Sequence, residues 1–450
     1  MEPHAQVAFG LIQEQLQSGN LEAARGLLTE EHPADMADIL LALEEADRTA
    51  MLGGLALEET AAVFPHLDRR DAAELAQHML PETAAAALDK VDPDVAADVL
   101  GEMTSESAAE VLQRMQRIQQ VAPLLLHPEE SAAGIMNPNY IALDAQMTVE
   151  GTLAYLRRAQ PSSDTVYYLF VVNGERRLLG VVSLRDLVIA APEAPLRNIM
   201  NPEVISIRAG ADREEAALLI RHYDLKALPV IDEEGRLIGA ISFDDAADVL
   251  EEETTEDIYH MVGLSEEERV LAPFGATLKR RMPWLLVNLF TAFVSAFVVS
   301  FFEPTISRMA VLAVFMPVIA GHGGNTGTQA ATLLVRGLAL GEIGTGDTAR
   351  VLLEQLTFGV VHGLAAGAVS GLIALVVVGN PWLGLVVAAA MIGNVLLAGI
   401  LGALLPMLLR ALRLDPALMS SIFLTTCTDI GGFLMLLGLG TLLLPRLLGL

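Results

Sequence analysis

The sequence predicts a multidomain membrane protein: an all-α superhelical N-terminal domain, a duplicated α/β unit, a connecting helix and a domain of five transmembrane helices. Three observations predict it. Residues 20–120 repeat every 12 positions, IMNP at 135–138 returns at 199–202, and five long apolar stretches occupy the C-terminal part. Charge divides the chain at the same place, since residues 1–271 carry 50 Asp and Glu against 19 Lys and Arg, while the rest carry 6 against 9. So acidic a soluble part repels nucleic-acid phosphates and favours cations or basic partners, with a solvated surface as the plainer alternative. The single Cys427 excludes an intrachain disulfide or a multi-cysteine metal site. MEPHAQVAFG lacks the basic and apolar regions of a signal peptide, so the soluble part is expected to stay cytosolic.

The expected domains are 1–130 (acidic helical), 131–252 (duplicated unit), 253–280 (connecting helix) and 281–450 (transmembrane). In the first, Asp38, Ala50, Ala62, Glu74, Ala86, Asp98 and Glu110 align, followed by apolar pairs such as Ile39-Leu40, Met51-Leu52 and Val99-Leu100. Another apolar residue comes five positions on, from Leu43 to Met115. Each unit reads as one short helix and a turn. Helices this short bury an apolar face only by stacking on their neighbours, which gives a superhelix, or alternatively a generic Ala-rich bundle.

In the second, LLGVVSLRD at 178–186 is echoed by LIGAISFDD at 237–245. In each copy an apolar run (167–172; 227–231) leads through a turn (Asn173-Gly174; Glu234-Gly235) to a second strand and a helix. This resembles a pair of CBS domains, whose pairs often hold adenine nucleotides in the cleft between copies. The resemblance implies that Arg185, Asp186 and Asp245 face such a cleft. Alternatively Asp186 and Asp244-Asp245 merely cap the helices they precede.

The apolar stretches lie near 283–302, 309–335, 351–378, 382–409 and 417–444, each long enough to cross about 30 Å of hydrocarbon. Lys279, Arg280, Arg281, Arg336, Arg350, Arg410 and Arg413 fall at ends on one side, against Arg308 and Arg446 on the other. The positive-inside rule puts the first side, and the soluble part, in the cytosol and the C-terminus outside.

Within these spans Asp429, in TTCTDIGGF, is the acid at mid-membrane depth. An ionised carboxylate against lipid costs roughly 2.5–3.5 kcal/mol by insertion scales, so it must face protein or water. A passing cation explains it, with a proton relay or a protonated structural Asp as rivals. The second span carries PVIAGHGGNTGTQ, 317–329, where Pro317 and four glycines suit a regular helix poorly. Unwinding there would expose carbonyls of Gly321 and Gly324 beside the amide oxygens of Asn325 and Gln329. Small-residue helix packing is the alternative. Neutral oxygens around one carboxylate suit a hard cation, and Mg²⁺ would pass with much of its water retained. His322 and His362 lack partners at ligand spacing and read as packing residues.

The order of these parts, with PVIAGHGGNTGTQ and the acid of the fifth span, resembles the MgtE family of magnesium channels along essentially the whole chain. The resemblance implies a homodimer in the cell (inner) membrane, with the pore between protomers, closed when cytosolic Mg²⁺ bridges the acidic domains. It assigns the bridging to Asp94, Asp98, Asp212, Glu214, Asp224, Asp245, Asp248, Glu253, Glu256, Asp257 and Asp415, and allows ATP as a regulatory ligand. The chain departs from the family at His322, where a small or apolar residue is usual, and at Ala62, where the family has an acid. A membrane metalloprotease would need HExxH, and none of the nine His is followed by Glu. A proton-coupled or Co²⁺/Ni²⁺ carrier with the same regulatory half stays open.

Overall fold

The computed structural model describes residues 3–161, 168–265, 268, 270, 274–344, 346–412, 414–417 and 420–449. Tyr167, Arg413 and, in the acidic segment, Glu266, Glu267 and Arg269 lie outside the described residues. Two compact units, 1–250 and 251–450, are taken in turn.

After α1 (Pro3–Gln17) come α2 (Leu21–Thr29), α3 (Pro33–Ala42), α4 (Glu45–Leu52), α5 (Leu57–Val63), α6 (Arg69–Gln77), α7 (Pro81–Leu88), α8 (Pro93–Glu102) and α9 (Ser105–Leu112). From α2 to α9 every helix starts 12 residues after the one before, as the repeat requires. Three open on Pro at the first helical position, where the missing N–H is harmless and φ is preset. Asn20 and Thr104 instead cap α2 and α9 with side-chain oxygens. The apolar pairs are the core: Ile39, Leu40, Met51, Val63, Phe64, Leu75, Leu88, Val99 and Leu100 are all fully buried. α1 packs mainly on α2, and further along the stack a helix packs on the one two places on, as α3 on α5, α5 on α7 and α6 on α8. A short α10 (Ile118–Val121) closes the stack.

The duplicated unit holds β1 (Ala142–Asp144), α11 (Val149–Ala159), β2 (Tyr168–Val172), β3 (Leu178–Ser183) and α12 (Leu184–Ile189). The second copy repeats this as β4 (Ile207–Arg208), α13 (Arg213–His222), β5 (Ala227–Ile231), β6 (Leu237–Ser242) and α14 (Phe243–Met261). Each copy is a three-stranded sheet with its first pair parallel and its second antiparallel. The IMNP motifs exchange partners. Asn137 of the first bridges to Ala240 on β6, and Asn201 of the second bridges to Val181 on β3. Gly239 and Gly180 make room, since a Cβ at either would meet Met136 or Met200 sulfur at 2.5 or 2.6 Å. The helical repeat shares one hydrophobic core with the second copy, through residues such as Ile207, Leu228, Ala246 and Val249.

The C-terminal unit contains α15 (Phe274–Ser300), α16 (Glu303–Arg308), α17 (Val311–Ala339), α18 (Thr348–Val378), α19 (Pro381–Ala411), α20 (Ser420–Leu442) and α21 (Leu444–Leu447). Among the described residues α15, α18, α19 and α20 are long and apolar enough to cross a membrane. α17 has the length, and its polar, glycine-rich middle keeps it below that apolarity. The segment 253–280 is shared between the end of α14 and the start of α15. α18 and α19 pair as a hairpin turned at Gly379, whose φ of 76° suits glycine, and α19 is capped by Asn380. Gly359, Gly363, Gly367 and Gly371 line the α18 side of the seam one turn apart. A Cβ on Gly367 or Gly371 would meet α19 backbone oxygen at 2.8 or 2.6 Å. Small residues let helix backbones approach this closely where no hydrophobic effect drives association.

Candidate functional site

The second span does not unwind. α17 runs unbroken from Val311 to Ala339 through Pro317 and all four glycines, so the carbonyls of Gly321 and Gly324 lie within helix. The physical reason is packing. A Cβ on Gly323 would meet Asn394 Nδ2 at 2.2 Å, one on Gly327 would meet Leu424 at 3.1 Å, and Gly402 of α19 sits 2.5 Å, by its Cβ position, from the Gly327 carbonyl oxygen. The glycines let α19 and α20 approach, and that close packing offsets their poor helix propensity.

One turn apart, Gly321, Asn325 and Gln329 form an exposed stripe along α17, while Gly324 faces Thr425 of α20. Asp429 is half-buried on α20, next to fully buried Thr428. Among the described residues the side chains of Asn325, Gln329 and Asp429 make no hydrogen bond or ion pair, so their oxygens are uncommitted.

Sequence reasoning missed Asn394. It is fully buried in α19, donates from Nδ2 to the Ile319 carbonyl at 2.9 Å, and lies against Gly323 and Gly432. It ties α17, α19 and α20 together immediately before the glycine motif. Its Oδ1 has no partner among the described residues. The available signal was an amide inside an otherwise apolar span, in MIGNVLLAG. The reading of His322 and His362 as partnerless is also corrected: their Nε2 atoms are 3.1 Å apart across α17 and α18. Their separation of 40 residues hides this in the sequence.

The acids fall into separate groups. Asp94, in the first turn of α8, is 6 % exposed and its Oδ1 has no partner among the described residues. Burial, then the nearby carboxylate of Asp245, push its carboxyl well above the usual range, with Asp92 and Asp98 adding to the effect. Burial also raises Asp245, against the hydrogen bonds it accepts from Ser242, and Asp248 is close enough to contribute. Asp98 is already ion-paired with Arg69 at 3.3 Å. A second group joins the end of α14 to the α19–α20 connection. His260 Nδ1 lies 2.9 Å from Asp415 and 3.5 Å from Glu256. Burial, then Asp415 and Glu253, push the Asp257 carboxyl up to about 6. Like charges packed this way favour a proton or a cation between them. Asp212 and Glu214 lie elsewhere, at the start of α13, where Asp212 caps the helix through the Glu214 amide at 2.8 Å, and Asp224 follows that helix at a φ of 52°.

Asp186 and Asp245 do cap their helices. Asp186 and Ser183 exchange hydrogen bonds across the first turn of α12, and Ser242 and Asp245 repeat this on α14. Arg185 follows Ser183 at the start of α12, next to that cap.

A helical repeat and a paired α/β module carrying buried acid groups, followed by apolar helices that hold uncommitted oxygens, define a polytopic membrane transport protein. Residues 31–130 match the MgtE intracellular N domain, 132–193 and 196–252 the CBS domain, and 316–439 the MgtE divalent cation transporter domain. The chain is 39% identical to a magnesium transporter MgtE of Thermus thermophilus over 96% of its own length and 98% of the relative's. It therefore belongs to the MgtE family, a family of transporters and not of enzymes. The magnesium transporter MgtE of Bacillus subtilis is 30% identical over 95% of both chains. Among solved structures, the cytosolic domain of the Mg²⁺ channel MgtE in complex with ATP matches 53% of this chain and 98% of its own, at 37% identity and a TM-score of 0.50. The soluble part of a magnesium transporter matches 55% and 99%, at 29% identity and the same TM-score.

Proposed function

We propose that this protein mediates Mg²⁺ uptake as a channel or transporter of the cell membrane, gated by cytosolic Mg²⁺. The observation that carries this reading is the set of uncommitted oxygens on long apolar helices, Asn325 and Gln329 on the exposed stripe of α17 and half-buried Asp429 on α20. Mg²⁺ demands octahedral oxygen and dehydrates reluctantly, so one carboxylate and neutral amides would hold the hydrated ion through its waters. The exposed Gly321, Asn325 and Gln329 stripe supports a homodimer, in which a second copy would complete the pathway. The basic residues flanking the spans support a cytosolic N-terminus and an external C-terminus. The domains are assigned to 1–130, 131–252, 253–280 and 281–450.

Gating would come from Mg²⁺ bridging the clustered acids, buried Asp94 with Asp98, Asp245 and Asp248, and Glu253, Glu256 and Asp257 with Asp415. Asp212, Glu214 and Asp224 would act as a further set. Mg²⁺ must bind the closed state better than the open one, because equal affinity shifts nothing. ATP would bind the CBS pair, with Arg185 and Asp186 beside the cleft, as the ATP complex of the related cytosolic domain suggests. The test is flux into reconstituted vesicles, with and without a pH gradient. Mg²⁺ flux independent of the pH gradient and lost in Asp429→Asn is expected. Undiminished flux in that variant overturns the pathway, and flux that follows the pH gradient replaces it with a proton-coupled carrier.

A further inference from the structure

His322 stands just before the Gly323-Gly324 pair of α17, and the fold gives it a partner on α18. The two Nε2 atoms of His322 and His362 approach to 3.1 Å, with the rings perpendicular and their centroids 5.0 Å apart. Both nitrogens therefore point at one region between α17 and α18. Two imidazole nitrogens bound to one metal at about 2.0–2.1 Å lie about 2.9 Å apart at a right angle and about 3.3 Å apart at the tetrahedral angle. The observed spacing falls between these limits, so an ion needs only a small ring movement to seat.

The remaining hydrogen bonds do not oppose this. In a hydrogen bond at this distance one Nε2 carries the hydrogen and donates to the lone pair of the other. His362 Nδ1 is buried and makes no hydrogen bond among the described residues, so neither tautomer of that ring is locked. Phe358 closes the other side of the His362 ring, edge-on at 5.3 Å. An ion taking both Nε2 lone pairs requires the donating ring to shift its hydrogen to Nδ1, with no net proton release.

We propose that His322 and His362 form a binding site for a borderline divalent transition-metal ion such as Ni²⁺ or Co²⁺, set across α17 and α18. Imidazole nitrogen suits Zn²⁺, Cu²⁺, Ni²⁺ and Co²⁺ and is a poor ligand for Mg²⁺, whose preference is oxygen. Two protein ligands leave several positions to water, so the ion enters and leaves. The site adjoins the Gly321, Asn325 and Gln329 stripe in sequence, so an ion clamping α17 to α18 would slow passage along that stripe. This last consequence rests on the Mg²⁺ pathway proposed above, whereas the binding itself does not.

The probe is Ni²⁺ alone, measured by equilibrium dialysis of the detergent-solubilised full chain in excess Mg²⁺ to fill the oxygen sites. The wild type is expected to hold one more Ni²⁺ per chain than His322→Gln or His362→Gln, and His222→Gln, at an exposed position on α13, is expected to keep it. Co²⁺ in the same site should show the visible absorption of nitrogen ligation, lost in both variants. The two variants lie on different helices, so a folding failure in one leaves the other to decide. Equal Ni²⁺ uptake by the wild type and either folded variant overturns the site, as does a wild type that takes up no Ni²⁺ in excess Mg²⁺. Neither result touches Mg²⁺ flux, which is measured separately.

Discussion

Replacing Asp94 by Asn isolates the energetics of buried Asp94 beside Asp245. Without divalent ions the carboxylate sits buried beside Asp245 with Oδ1 unpartnered. Such a group costs about 1–3 kcal/mol, and more when charged. The amide removes the like charge and offers Asp245 an N–H donor. Residues 1–250 are therefore expected to gain about 1–3 kcal/mol at neutral pH in Mg²⁺-free buffer, at about 2–4 °C of Tm per kcal/mol for a unit of this size. Mg²⁺ should act the other way. An ion at ten times its Kd stabilises the wild type by about 1.4 kcal/mol, and the variant loses most of that gain. The pH dependence has a fixed sign. A carboxyl whose folded pKa is raised favours the folded state below its unfolded value, and that contribution is lost as pH rises through the folded value. The gap between variant and wild type should thus shrink on acidification. Thermal unfolding at two pH values, with and without Mg²⁺, reads all three effects, and the solved relatives are cytosolic parts crystallised by themselves. A variant that is less stable than wild type at neutral pH without Mg²⁺, yet fully stabilised by Mg²⁺, refutes the pairing.

Other consequences follow from the same geometry. Gly402→Ala drives a methyl into the Gly327 carbonyl and is expected to destabilise the membrane unit by about 1–3 kcal/mol, seen as a lower Tm in detergent. Asn394→Leu should cut Mg²⁺ flux while Asp429 stays in place, because it releases the tie to Ile319; unchanged flux would make that hydrogen bond structural only. Below pH 6, protons compete for Asp257, so Mg²⁺ affinity of the Glu256, Asp257 and Asp415 group should fall by up to about tenfold per pH unit, and Asp257→Asn should flatten that dependence in calorimetric titration. ATP titrated into wild type and Asp186→Ala should show binding that the variant weakens; equal affinity would leave Asp186 as the cap it forms with Ser183.

The 12-residue repeat was legible to the residue because each short helix must present its apolar pair at the same phase, so α2 to α9 start where the period places them. The duplication was equally plain in its strands and turns. Its crossed IMNP partners were not, because sequence identity between copies does not say which sheet a motif joins. In the membrane unit the glycines misled. Propensity argued for an unwound segment at 321–327, whereas tertiary packing of Gly323 and Gly327 against α19 and α20 holds a continuous helix. Asn394 and the His322 and His362 pair depend on contacts 40 or more residues apart, which no local pattern encodes. The acids were visible as a surplus of charge, but only the fold separates buried Asp94 and its half-buried neighbour Asp245 from Asp212 at its helix cap.

Closure by cytosolic Mg²⁺ is tested most directly by flux from reconstituted vesicles as Mg²⁺ on the cytosolic face is raised through the millimolar range. The full chain is expected to shut steeply, and a chain lacking residues 1–130 to stay open at concentrations that close the wild type. Flux from the full chain that ignores cytosolic Mg²⁺, or a truncated chain that closes at the same concentration, would contradict the account.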